Sequence, residues 1–176
     1  MEQSIYTFWT IGHSTHPIEV FVESLSAYDC TMLVDVRRFP ASRRYPHFNQ
    51  HPLAAALETA NISYHSAPEL GGRRKPRPDS SNTAWRNESF RGYADYMETE
   101  SFASGIDLLL HYADTERVAI MCSEAVWWRC HRALIADHLK AQGHNIIHIL
   151  DRSHSQPHPY TSAARVVDGR LTYHAE

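Results

Sequence analysis

The sequence predicts a single α/β domain, residues 1–176, with a mainly parallel five-stranded sheet, helices on both faces and a small C-terminal hairpin. Three observations carry this expectation. Short apolar runs alternate along the chain with segments whose apolar residues recur at helical spacing, the pattern of successive strand–helix units. No internal repeat and no linker interrupts that alternation. With 176 residues, 43% of them hydrophobic, the chain can bury one sizeable core and is short for two.

Taken in order, Ile5 to Gly12 reads as a first strand, apolar enough for burial on both faces. His13-Ser14-Thr15-His16-Pro17 is a turn, with hydroxyls suited to capping a helix and a proline suited to its first turn. Ile18, Phe21, Val22 and Leu25 then share one helical face. Thr31 to Val36 is a second buried strand, followed by a basic loop broken by Pro40 and Pro46. Leu53 to Ala60 is a short helix and Ile62 to Tyr64 a third strand. Residues 66 to 88, with Gly71-Gly72, Pro76 and Pro78, read as a long loop of the functional or mobile kind.

Helical patterning returns over Phe90 to Glu98 and Phe102 to Tyr112, and Val118 to Cys122 is a fourth strand. Cys130 or His131 opens a helix that runs to Gln142 and stops at Gly143. Ile146 to Leu150 is a fifth strand, and Asp168-Gly169 turns a hairpin over residues 166–171. In such folds ligands bind beyond the carboxyl ends of the strands. That rule gathers His13 with Ser14, Asp35 with the Arg37 to Phe48 loop, and the Cys122 to Cys130 loop at one edge.

Composition narrows the function classes. The formal net charge is -3, yet the positive residues are bunched at Arg37, Arg38, Arg43 and Arg44 and again at Arg73, Arg74, Lys75 and Arg77. A positive pocket on a neutral body fits this better than a protein basic all over. Three cysteines, an odd count, do not suggest a disulfide scaffold and fit a reducing cytoplasm. No apolar run is long enough to span a bilayer and no secretory leader is evident, so a membrane is not an expected partner. Protein partners are left unspecified.

The stretch from Met121 to Leu139 concentrates reactive groups. Cys122 ends a buried strand, with Glu124 nearby as a general acid or base. Cys130 stands at a helix start between Arg129 and Arg132, where the dipole and the charges favour a thiolate. Two readings stay open: a reactive pair, or two buried inert thiols. The Arg37 to Phe48 loop interleaves arginines with Tyr45, His47 and Phe48, which suits phosphate plus a flat ring, or else a solvated surface loop. Trp127 and Trp128 are placed as a roof, or as stacking faces, over a pocket containing Cys122, Glu124, Cys130, His131 and Arg132. No Cys-x-x-Cys or His-Glu-x-x-His spacing occurs, so no cofactor is expected, and metal binding is left open.

Several of these pieces together resemble the bacterial family of the domain of unknown function 488. The matching segments are Thr10-Ile11-Gly12-His13-Ser14; Asp35-Val36-Arg37; Pro40 with Ser42-Arg43-Arg44 and Pro46-His47-Phe48; Glu69-Leu70-Gly71-Gly72; Phe90-Arg91-Gly92-Tyr93-Ala94; Met121-Cys122 with Glu124; Cys130-His131-Arg132; His148-Ile149; and His158-Pro159. The resemblance implies a shared α/β fold and shared polar loops; it implies no reaction. The order of strand, cysteine loop and helix also loosely resembles rhodaneses and cysteine phosphatases. A phosphatase loop carries arginine six positions after its cysteine, however, and here that position is Trp128.

The expected function is therefore an enzyme or ligand-processing domain for an anionic flat substrate, such as a nucleotide or nucleic acid. Glu124, Cys122, His131 and Cys130 are the catalytic candidates. His13, Ser14, Asp35, Arg37, Arg43, Arg44, Tyr45, Phe48, Trp127, Trp128 and Arg132 are the substrate-binding candidates. The alternatives are sulfur or persulfide transfer through Cys122 and a non-catalytic binding protein.

Overall fold

Five strands associate side by side in a computed structural model that describes residues 4–175. They are β1 (Thr7–Gly12), β2 (Met32–Asp35), β3 (Ser63–Ser66), β4 (Val118–Cys122) and β5 (Asn145–Ile149), all parallel where they pair. β2 and β4 are buried at every position, and β1 at all but its first residue. A parallel strand covered on both faces needs such a continuous apolar run. β3 lies at one edge and is half-exposed, which matches its polar sequence Ser-Tyr-His-Ser.

The sheet has six strands, where the sequence predicts five. The order is β3-β2-β4-β1-β5-β6, and β6 (Ser155–Pro157) pairs antiparallel with β5 at the other edge. Ser-Gln-Pro carries neither β-propensity nor alternation, so β6 exists only because β5 offers it a pairing edge. Its proline is tolerated at that margin. A separate hairpin, β7 (Arg165–Val167) and β8 (Arg170–Thr172), forms where the Asp-Gly turn predicts it. Asp168 and Gly169 both have the positive φ that a two-residue hairpin turn requires, 51° and 77°.

Helices cover both faces. α1 (Ile18–Ala27) and α2 (Gln50–Glu58) bury Phe21, Leu25, Leu53 and Leu57 against Trp9, Ile11, Leu33 and Met121. On the opposite face α3 (Glu88–Tyr96), α4 (Glu100–Ala113) and α5 (Arg132–Ala141) bury Tyr93, Phe102, Ile106, Leu109 and Leu134 against Phe8, Val34 and Ile120. None of these helices is long and apolar enough to cross a membrane.

This winding places the site. β1 and β4 are neighbours, yet β1 leads away through α1 toward β2 while β4 leads through α5 toward β5. Their following loops therefore part to opposite faces, leaving a crevice beyond the carboxyl ends of β1 and β4.

A buried polar cluster ties the C-terminal segments to α5. Asp137, fully buried, accepts hydrogen bonds from His158 Nε2 (2.8 Å), Thr161 N (3.0 Å) and the Tyr173 hydroxyl (2.8 Å). His158 Nδ1 in turn meets His148 Nε2 at 2.8 Å. Burial, and then the neighbouring His158 and Arg132, push the His148 pKa down to about 2, so this ring is neutral across the physiological range. The long 66–88 segment is likewise fastened: Arg77 N, Ser80 Oγ and Asn82 Nδ2 all donate to Asp95 on α3.

α5 is held chiefly by its apolar face, on which Leu134 is fully buried. Leu134→Ala should cost about 2–5 kcal/mol. Urea unfolding should show this as a lower midpoint with an unchanged slope.

Candidate functional site

Two backbone hydrogen bonds lock the loop after β4 onto the end of β1. His13 N donates to Cys122 O (3.0 Å) and Ser14 N to Ser123 O (2.9 Å). The loop then passes so close over β1 that a Cβ on Gly12 would lie 1.6 Å from Glu124 O. No other residue permits that crossing. Ser14 pays for its position with a left-handed backbone, φ 48°, a conformation that marks functional turns more often than ordinary ones.

From below, the loop is held by Arg132, which is 1% exposed. Its Nη2 donates to Glu124 O and Ala125 O, both at 3.1 Å. Among the described residues it forms no ion pair with a carboxylate, and its Nε and Nη1 have no hydrogen-bond partner. A buried guanidinium without a counter-charge is costly. Its charge favours ionisation of the neighbouring Cys122 and Cys130 thiols.

Cys130 lies just ahead of α5, and its Sγ accepts the Arg132 amide N–H at 3.5 Å. Burial opposes ionisation of this thiol. The Cys122 thiol, the Arg132 guanidinium and that amide more than offset it, leaving the Cys130 pKa below the ordinary thiol value. Cys122 goes the other way. Burial and the neighbouring Cys130 push its pKa well up, and its Sγ donates to Glu124 O at 3.7 Å. The two cysteines of the loop are thus unequal: Cys130 ionises more readily than an ordinary thiol and Cys122 less readily.

His131 completes the pair. Its Nε2 lies 2.9 Å from Val36 O, so that nitrogen carries the proton when the ring is neutral. The bare Nδ1 then faces Cys130 Sγ at 3.5 Å. Burial, first among its causes, keeps the His131 pKa below the ordinary imidazole value. Gly72 packs against this ring, where a Cβ would stand 2.9 Å from Nδ1.

These groups open on a cavity of about 850 Å³ in the crevice beyond β1 and β4. Of the residues singled out from sequence, His13, Ser14, Arg37, Arg44, Tyr45, Cys122, Glu124, Cys130 and His131 line it. His13 is buried, and desolvation, the largest influence, brings its pKa down to about 4. Glu124 is exposed at the rim.

The remaining candidates sit elsewhere. Asp35 is fully buried and clamps Arg37, with Arg37 Nε to Oδ1 at 2.9 Å and Nη2 to Oδ2 at 2.7 Å. Arg37 Nη2 also donates to Phe48 O at 2.8 Å, so this arginine braces the basic loop. Phe48 has no exposed surface; its ring stacks on His13 at 4.3 Å and supports that side chain from behind. Trp127 is buried and stacks on His148 at 4.6 Å, while Trp128 is 53% exposed. Neither tryptophan, nor Arg43, nor Arg132 lines the cavity. A large ring between a strand end and a helix start finds apolar cover nearby, and burial there outweighs display to a ligand.

The lining also includes Arg38, Gly72, Arg73, Tyr93 and Arg129, which are not among the candidates named from sequence. The signals for them were the Arg73–Arg77 cluster, able to close over the same edge, the Gly71-Gly72 pair, and the Phe90–Tyr96 segment, able to line a pocket or to anchor the long loop. Tyr93 arrives on α3, with its hydroxyl donating to Leu70 O at 2.7 Å. Among the described residues, no group of three or more His, Cys, Asp or Glu side chains is placed to hold a metal ion.

No curated protein and no solved structure matches the chain. The model of a family described as Domain of unknown function DUF488 matches residues 17–139, a span that runs from α1 through the cysteine loop and most of α5. The chain belongs to that family.

Proposed function

We propose that this protein is an enzyme that acts on an anionic, flat substrate of nucleotide type, with Cys130 as its nucleophile. One observation carries the reading: a thiol with a lowered pKa and four exposed arginines that form no ion pair among the described residues, Arg38, Arg44, Arg73 and Arg129, open on the same cavity. Arginine forks suit phosphate or carboxylate oxygens. Tyr45 and Phe90, both in the lining, offer rings to a planar group.

In this reading Cys130 Sγ attacks an electrophilic centre of the bound substrate. The new bond to sulfur replaces the bond to a leaving group, which departs with a proton. Water then releases the substrate fragment and returns the free thiol. His131 Nδ1 receives the thiol proton whenever the thiol is un-ionised, the logic of a Cys–His pair. Glu124 at the rim exchanges a proton with the departing or entering group. Arg132 stays beneath, holding the loop carbonyls and balancing the thiolate.

Sulfur transfer is a second reading, because a thiolate among arginines also suits an anionic sulfur donor. The ionised sulfur would then be Cys130 rather than Cys122. Thiosulfate treatment followed by peptide mass spectrometry separates the two: a persulfide on Cys130 favours transfer, and an unmodified chain removes it.

The three cysteines form an internal comparison. Iodoacetamide at neutral pH should alkylate Cys130 first; Cys122 is held as the thiol, and Cys30 is buried, with burial the main cause of a pKa near 12. Because the Cys130 pKa is lowered, its reactivity should persist below the range of ordinary thiols and fall only as the pH drops through that lowered value. Equal reactivity of all three would sink the assignment.

Filter binding of nucleotides at two salt concentrations tests the substrate class. Binding should weaken steeply with salt, and bound ligand should protect Cys130 from alkylation. Failure of every nucleotide to bind or protect would count against the reading.

A further inference from the structure

A second depression of about 450 Å³ adjoins the cavity and shares Arg38 and Arg73 with it. Its other lining residues include Arg74, Lys75 and Arg77. Arg77 is engaged by Asp79, Asp95 and Glu98. Among the described residues, Arg38, Arg73, Arg74 and Lys75 form no ion pair. Asp95 is the acidic group in this lining, and its carboxylate is already occupied by Ser80, Asn82 and Arg77. With Arg44 and Arg129 in the first cavity, six uncompensated cations therefore run across two connected hollows of a chain whose net charge is -3.

These cations stand on a braced surface. Arg38 Nη1 donates to Arg73 O at 2.9 Å, and Arg74 Nε to Gly71 O at 3.1 Å, with the Arg74 guanidinium 3.8 Å over the Tyr96 ring. The Arg73-to-Lys75 backbone lies directly on α3, where a Cβ on Gly92 would be 2.0 Å from Arg74 O. Phe39, in the lining of the first cavity, is 60% exposed, with the guanidinium carbons of Arg38 and Arg73, which both hollows share, over its ring at 5.6 and 5.8 Å from the centre. An exposed aromatic ring beside cations combines a surface for a base with groups for its phosphate.

We propose that the surface from the cavity over Phe39 to the Arg74–Lys75 hollow binds a single-stranded nucleic acid, whose reacting nucleotide occupies the cavity while its neighbouring phosphates lie on the outer cations. This rests on the cavity taking a nucleotide. An acidic peptide would satisfy the charges but would leave Phe39 without a flat partner.

Fluorescence anisotropy with a mononucleotide and single-stranded oligomers of increasing length, as RNA and as DNA, tests it over a salt series. Affinity should rise over the first few nucleotides and then level off, with the salt slope growing by about 0.7 for each phosphate engaged. Lys75→Gln is the clean variant, because among the described residues the Lys75 side chain forms no hydrogen bond or ion pair. It should lower the oligomer slope by about 0.7 and leave mononucleotide binding and Cys130 alkylation unchanged. Arg74→Gln should act in the same direction. Oligomers binding no better than the mononucleotide would overturn the path while sparing the cavity. No binding by either would remove both. An acidic peptide of equal charge binding as tightly as the oligomer would reassign the surface to a protein partner.

Discussion

The candidate site depends on one crossing: the loop after β4 lies directly on the end of β1. Gly12 makes the approach sterically possible, and Arg132 makes it stable by donating to Glu124 O and Ala125 O from beneath. A charge-assisted donor of this kind contributes more than a neutral one, so both hydrogen bonds hold the loop firmly. Fixing the loop in this way also fixes Cys122 at the strand end and Cys130 at the start of α5.

Two arginines are buried here, and the protein treats them differently. Arg37 is neutralised by Asp35 in a fork-to-fork pair and spends its remaining reach on Phe48 O. It serves as a strut for the basic loop. Arg132 has no carboxylate, so its charge remains available to the neighbouring sulfur. Arg132 favours ionisation of both thiols, and both are buried. What separates them is the contact between the two sulfurs, which favours the charge on Cys130, and the Arg132 amide, which Cys130 alone accepts. A field set up by one unpaired buried cation is stronger than the same charge at the surface, because the medium around it screens less.

The cations outside the crevice follow the opposite rule. They stay solvated and unpaired, and it is the backbone beneath them that is rigid. A charged platform whose geometry is set before a ligand arrives loses less conformational freedom on binding than a loose basic tail does. The long 66–88 segment therefore has a structural account: its irregular backbone is pinned to α3 through Asp95, Tyr93 and Tyr96.

Periodicity and turn chemistry alone determined five strands, the helices between them and the Asp-Gly hairpin, because these are local signals of burial and backbone preference. They also located the cavity at the carboxyl edge, since parallel strands put their loops there. Tertiary structure decided the rest. β6 has no local signal and forms only against β5. Phe48, Trp127 and Trp128 read as possible stacking faces, but whether a ring is buried or displayed depends on what packs beside it; the first two are core and the third is exposed away from the cavity. Spacing placed Cys130 at a helix start between Arg129 and Arg132, where a thiolate is favoured, but did not show that Cys122 lies against it. The contact between the two sulfurs, which raises the Cys122 pKa and lowers that of Cys130, exists only in the folded chain, because electrostatic interactions depend on distance in space rather than on separation along the sequence.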